Sequence, residues 1–395
     1  MRLGDICSKI GSGATPRGGK EAYSTSGIPI IRSQNVLDWS FSSNGLAYLN
    51  DEQAKTLSNV EVHQGDILLN ITGDSVARAC IVPSDVIPAR VNQHVAILRP
   101  KEKANATFIL AWLQTNKDLL LKLASSGATR NALTKRMLEG LDINLPSIDI
   151  QNHIAELISL IQSKINLNIK LNGYLEKLVS LEFSRRFKAS TPTIELGKVL
   201  SISTESIKPQ EHAGEIWEHY SIPAYDENRQ PLFELSDGIK SNKYAIDANC
   251  ILISKLNPAT KRIWMPSCTS EHSVCSTEFI VYKPKNPRYK SFYYAAIDSQ
   301  AFTDFLIAHV TGSTGSRQRT QPKATLTYPM PNPGHDAIEG FCAFADPIYK
   351  QIQSNKLESK WLVSLRDALL PKLMSGEIDV SKIDLTQLNS HLAQY

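Results

Sequence analysis

Short polar clusters of Arg, Lys, Asn and Gln recur along this chain of 395 residues. These side chains make paired hydrogen bonds to base edges: Arg or Lys to guanine, Asn or Gln to adenine. Arg and Lys also neutralise phosphates, which sets affinity and salt dependence. In the first half the candidates are Arg32, Gln34 and Asn35; Arg78, after the turn at Gly73; Arg90 with Asn92, Gln93 and His94; and Thr129, Arg130 and Asn131 with Lys135. In the second half they are Lys240 and Lys243; Lys255 and Asn257 with Lys261 and Arg262; and Arg317, Gln318 and Arg319. A solvated surface loop is the alternative for each, and for a lone Arg or Lys it is the better one. Contact is favoured for Gly312–Arg319, a Gly-containing loop with two Arg and a Gln that can approach a backbone closely. Gln93 and His94 could equally be satisfied polar groups behind a strand. Trp39, Trp217 and Trp264 read better as core than as stacking platforms.

Catalytic constellations do not emerge. The methyltransferase tetrapeptide (Asn or Asp, Pro, Pro, aromatic) is absent, and Asn332-Pro333-Gly334 is the nearest approach. Gly11-Ser12-Gly13 and Gly18-Gly19-Lys20-Glu21 both fail the nucleotide-loop patterns. Glu358-Ser359-Lys360 has a nuclease-like spacing but no acidic partner for a metal. The six cysteines form no C-x2-C pair and the nine histidines no i, i+4 pair, so no metal site is expected. The net charge of +4 permits nucleic-acid binding without arguing for it. No apolar run approaches the ~20 residues of a spanning helix, and a reduced cytoplasmic protein is expected.

The elements that must position these clusters are written twice. Leu3-Gly4 recurs as Leu196-Gly197, 193 residues on. Ile67-Leu68 recurs as Ile251-Leu252, and Leu178-Val179-Ser180-Leu181 as Leu362-Val363-Ser364-Leu365, both at 184. The first copy is thus nine residues longer before Ile67. So long a period is a duplicated domain rather than a solenoid unit, and pseudo-two-fold symmetry suits a two-fold partner such as duplex DNA. Brief apolar runs (Ile28–Ile31, Asp66–Leu69, Ala79–Val82, Val95–Leu98; Cys250–Ile253, Phe279–Tyr282) read as buried strands. Helices are expected over Phe108–Leu123 and Ser291–Val310.

Ile154, Ile158, Ile161 and Ile165 continue through Asn168, Asn172, Leu175 and Val179 as a heptad seam. With no Pro from 147 to 191, this predicts one helix of about 57 Å at ~1.5 Å per residue. A second helix is expected from about Asp346 to Met374, its seam carrying Ile348, Ile352, Asn355, Ser359, Leu362 and Leu369. Pro371 should kink or end it. If the halves are equivalent, the two rods run antiparallel and bury their seams on each other. Asn168, Asn172 and Asn355 would then set register, or else sit at the seam's rim.

The duplicated plan, the two long helices and the segment Leu365-Arg366-Asp367-Ala368-Leu369-Leu370-Pro371-Lys372-Leu373-Met374-Ser375-Gly376-Glu377-Ile378 resemble the specificity subunit (HsdS) of type I restriction-modification enzymes. Supporting matches are Arg2–Ile6, Gly65–Leu69, Val91–Leu98, Ser254–Pro258, Ser276–Phe279 and Gly312–Arg319. After Pro146 the family's Pro-Glu-Glu-Gln is reduced to Gln151, and Pro331–His335 departs further. The resemblance implies an α+β fold: two globular mixed α/β target-recognition domains in pseudo-two-fold repeat, joined by two long antiparallel coiled-coil helices. The expected layout is recognition domain 1 over 1–149, a conserved spacer helix over 150–188, and recognition domain 2 over 189–335. A second spacer follows over 336–375, with a tail over 376–395 returning toward domain 1.

It further implies that each domain reads one half of a split asymmetric double-stranded DNA site. Two methyltransferase subunits would dock on the helices, and restriction and translocase subunits would join for cleavage. No cofactor is expected in this chain; S-adenosylmethionine would belong to the methyltransferase partner, and ATP and Mg to the motor-nuclease partner. The chain itself would be non-catalytic. A scaffold or decoy that binds such partners with weak or no DNA specificity is the alternative.

Overall fold

The computed structural model describes residues 1–16, 18–125, 131–187, 191–311 and 318–384. Two compact units emerge: Met1–Leu167 with Ser359–Tyr395, discontinuous in sequence, and the continuous Asn168–Glu358. The fold class is α+β.

In the first unit, strands Cys7–Ser12, Val95–Pro100, Ile67–Asn70 and Ala79–Ile81 form, in that order, an antiparallel four-stranded sheet. Every residue of Ile67–Asn70 is buried. Ile67 and Leu69 join a core with Phe108, Ile109, Ile158 and Leu362, while Leu68 faces a second core with Ile30, Val91 and Ile97. Burial on both faces explains why the strand is continuously apolar instead of alternating. The second core underlies a smaller sheet ordered Ala47–Leu49, Ile28–Ile31, Ala89–Val91 and Glu61–Val62, in which Ile28–Ile31 and Ala89–Val91 run parallel.

The second unit repeats this plan. Strands Leu200–Ser203, Phe279–Pro284, Ile251–Ser254 and Ile263–Trp264 form the antiparallel sheet. The register Ile67↔Leu98 of the first unit recurs as Ile251↔Tyr282. A five-stranded sheet replaces the smaller one and keeps its parallel pair, Ile216–Tyr220 with Ser273–Cys275. The expected helices are each broken once, into Ala106–Thr115 and Lys117–Ser125, and into Lys290–Ile297 and Gln300–Ala308.

The Leu-Gly repeat has a packing cause. Leu3 and Leu196 are fully buried. A Cβ on Gly4 would lie 3.2 Å from the Glu139 carbonyl oxygen, and one on Gly197 3.1 Å from the Leu326 Cβ. Both are close approaches of backbone that a side chain would force apart.

The first long helix is Ile148–Arg186, unbroken over 39 residues. The second is His335–Ser375, over 41 residues. It begins eleven residues before the expected Asp346 and passes through both Pro347 and Pro371, so Pro371 does not end it at that point. An interior proline costs about 3 kcal/mol. Burial of Phe341, Cys342, Ala345, Leu370 and Leu373 on this helix outweighs that cost. Within the second unit the two helices run antiparallel: Asn355 Nδ2 donates to Asn172 Oδ1 at 2.8 Å, and Asn168 Nδ2 to Glu358 Oε2 at 2.7 Å. Asn168, Asn172 and Asn355 are 3%, 8% and 4% exposed, so they lie inside the seam and not at its rim.

Candidate nucleic-acid interface

Three loops converge at one end of the four-stranded sheet in the first unit: 71–78, 92–94 and 131–134. Backbone hydrogen bonds lock them. Ile71 N–H donates to the His94 carbonyl (3.0 Å), Leu133 N–H to that of Ile71 (2.8 Å), and Gly73 N–H to that of Asn131 (3.2 Å). The second unit builds the same junction from 255–262, 276–278 and 318–320. There Lys255 N–H donates to the Glu278 carbonyl (3.0 Å), Thr320 N–H to that of Lys255 (3.0 Å), and Asn257 N–H to that of Gln318 (2.9 Å). Asn70 N–H to the Arg78 carbonyl recurs as Ser254 to Arg262, again 184 residues on. The turn beneath each junction also recurs: His94 N–H donates to Asn92 Oδ1 (3.1 Å), and Glu278 N–H to Ser276 Oγ (3.3 Å). At the tightest point the backbone is left-handed in both copies, with Gly73 at φ +75 and Asn257 at φ +49. Gly adopts this conformation freely, and Asn is among the few other residues that tolerate it.

A shared frame thus carries different side chains. In the first junction Gln93 is exposed, with its amide nitrogen 3.3 Å from His94 Nε2. His94 Nδ1 lies 2.7 Å from Thr72 Oγ1. Asn131 and Lys135 are exposed, Lys135 lying 3.5 Å from Glu139. Arg78 is half-buried. In the second junction Lys255, Asn257 and Gln318 are half-buried and Arg319 is exposed. Asn257 Oδ1 has no hydrogen-bond partner among the described residues. Carboxylates hold three cations here: Arg319 bidentately by Glu278 (3.0 and 3.1 Å), Arg262 bidentately by Asp226 (2.6 and 2.9 Å), and Lys261 by Asp298 (2.6 Å). Thr129, Arg130 and Arg317 lie outside the described residues.

Four candidates are turned inward. Asn35 is fully buried and donates to the carbonyls of Ser42 and Asn44. Arg90, 7% exposed, donates to the Ala54 and Ala89 carbonyls and pairs with Glu61 at 2.9 Å. Asn92 is buried as the turn acceptor described above. Lys243 is buried, with Nζ on Ser241, and burial pulls its ammonium pKa down. These four serve the frame instead of facing a groove. Arg32 and Gln34 belong to a neighbouring turn, where both donate to the Gly45 carbonyl (2.6 and 3.1 Å). Asn70 ties that turn to the sheet end through the Ser33 and Val36 carbonyls. Lys240 is exposed and donates to the Asp237 carbonyl at 2.8 Å.

Attention to basic and amide residues overlooked the carboxylates Asp226, Glu278 and Asp298. It also overlooked Leu171, Tyr174, Leu178 and Leu181 on the first long helix, which are 38%, 70%, 47% and 59% exposed. Their steps of 3, 4 and 3 are a second heptad stripe, legible in the sequence.

Residues 1–177 match the family described as type I restriction modification DNA specificity domain. That match covers just under half of the chain, and the resemblance lies in these residues. A Methanocaldococcus jannaschii protein described as a type I restriction enzyme MjaX specificity subunit is similar to this chain, with 22% identity over 162 residues. The match spans 40% of this chain and 37% of that relative's length. The crystal structure of the type-I restriction-modification system S subunit from M. genitalium has the same fold, with a TM-score of 0.56 and 14% identity. The alignment covers 94% of this chain and 95% of that one. Among the described residues, no helix is long and apolar enough to cross a membrane, and no group of three or more His, Cys, Asp or Glu could hold a metal ion.

Proposed function

We propose that this chain is the sequence-reading subunit of a type I restriction-modification complex, without catalysis of its own and working in the cytoplasm. Each unit reads one half of a split asymmetric duplex site through its three-loop junction. The observation that carries this reading is the junction itself: one backbone frame, repeated at 184 residues in two loops and at 187 in the third, displaying different hydrogen-bonding groups. A frame of backbone hydrogen bonds fixes loops at the accuracy that base contacts need, and different side chains on it make the half-sites differ. Gln93, Asn131 and Lys135 face outward in one unit, and Lys240 and Arg319 in the other, with Arg32, Gln34, Arg78, Lys255, Asn257, Lys261, Arg262 and Gln318 around them.

The stripe Leu171, Tyr174, Leu178 and Leu181 supports docking of a methyltransferase subunit through a helix of its own. Exposed apolar residues at heptad spacing want a second helix. Adenine methylation, with S-adenosylmethionine, would belong to that partner, and ATP-driven cleavage to motor-nuclease subunits. Purified chain with and without its methyltransferase partner, incubated with S-adenosylmethionine and plasmid DNA, tests the reading. Methylation at one split site only in the mixture is expected. Methylation by the chain alone, or equal binding of the mixture to specific and random duplexes, overturns it.

A further inference from the structure

We infer that Arg319, gripped by Glu278, reads a guanine in the half-site of the second unit, and that the first unit has no such contact. This rests on the reading of the junctions as DNA-contacting surfaces. Both backbones of the pair are held by the frame: the Glu278 carbonyl accepts from Lys255 N–H, and the Lys255 carbonyl from Thr320 N–H, next to Arg319. Glu278 then takes the Nε–Nη2 edge of the guanidinium at 3.0 and 3.1 Å. The side chains are 45% and 30% exposed, and an ion pair so exposed contributes little to stability.

As a positioning device the pair makes better sense. A long side chain loses much rotamer freedom when it docks on a base. An arginine already held through one edge has lost part of that freedom beforehand. Its Nη1–Nη2 end is the edge that can address guanine O6 and N7 together. Glu278 here is a positioning residue, acting through Arg319. The same frame positions in the first unit hold His94 and Ala132: His94 matches Glu278 through the shared hydrogen bond, and Ala132 matches Arg319 through the bridges Thr72↔Ala132 and Leu256↔Arg319. At those frame positions the first unit therefore has neither member of the pair.

The test is selection of a randomised duplex library by the full chain assembled with its methyltransferase partner, comparing wild type, Arg319→Ala, Arg319→Lys and Glu278→Gln. Arg319→Ala is expected to lower the preference for guanine at one position of one half-site by fivefold or more, leaving the other half-site unchanged. Arg319→Lys keeps the charge but loses the planar fork, so it should retain affinity and still lose that preference. Glu278→Gln should weaken the preference less than Arg319→Ala does. Uniform weakening at every position, as a phosphate contact would give, or an unchanged preference in Arg319→Lys, overturns the inference. A wild-type complex that selects no sequence overturns the DNA-reading function itself.

Discussion

Arg90 and Gln93 lie three residues apart and have opposite fates. Arg90 sits on Ala89–Val91, a strand paired on both sides and buried throughout, so its guanidinium satisfies carbonyls inside the fold. Gln93 follows the strand, in a turn that faces solvent. Arg90→Ala is therefore expected to cost about 2–3 kcal/mol in urea unfolding, because the Ala54 carbonyl and Glu61 lose their partner. Gln93→Ala should change stability by less than about 0.5 kcal/mol and alter the preference of one half-site.

His219 gives a pH dependence. Burial pulls its imidazole below the ordinary 6.5, against the opposing pull of Glu234 2.6 Å away. Between the lowered value and 6.5 the folded chain binds fewer protons than the unfolded one. Stability is thus full above about 6.5 and is lost as pH falls through that window. Urea unfolding at about pH 7.5 and about pH 5.5 should show a fall in wild type that His219→Gln reduces.

At the scale of elements, the heptad seams were legible because Ile154, Ile158 and Ile161 repeat with the period of a helix and are buried together. Asn168, Asn172 and Asn355 fit the same pattern, but periodicity does not distinguish a buried amide from one at the rim. The hydrogen bond from Asn355 to Asn172 decides it. Removing either amide leaves the other's polar atoms buried, so Asn172→Leu and Asn355→Leu singly should each cost about 1–3 kcal/mol. The double variant should recover much of that loss, because facing leucines replace a buried polar pair. A double-mutant cycle by urea unfolding measures the coupling.

The start of the second long helix is likewise decided by distant contacts. It starts eleven residues before the expected Asp346 and holds Pro347 in its interior, although local propensity penalises proline there. The burial of Phe341, Cys342 and Ala345 in the second unit's core comes from residues distant in sequence, and it outweighs the local term.

On the scale of the whole molecule, duplication separates frame from message. The junction hydrogen bonds use backbone groups, so they survive wholesale change of side chains. Loops 71–78 and 255–262 have equal length, as do 92–94 and 276–278. Placing residues 71–78, 92–94 and 131–132 in the second unit, over 255–262, 276–278 and 318–319, should leave its fold intact. The assembled complex should then select a site whose halves are more alike than in wild type, as read by library selection. Halves that stay as different as in wild type would show that the message lies outside these loops.

The sequence by itself determined the repeat, the apolar strands, the seams and the clusters of Arg, Lys, Asn and Gln, because each is a local pattern of residue type and spacing. Tertiary structure alone decided which polar groups face outward. Asn35, Arg90, Asn92 and Lys243 carry the same chemistry as Gln93 and Arg319, yet they are buried. Whether a polar side chain is covered depends on strands and loops far away in sequence, and no local pattern records that. The pairing of Arg319 with Glu278 across 41 residues has the same origin.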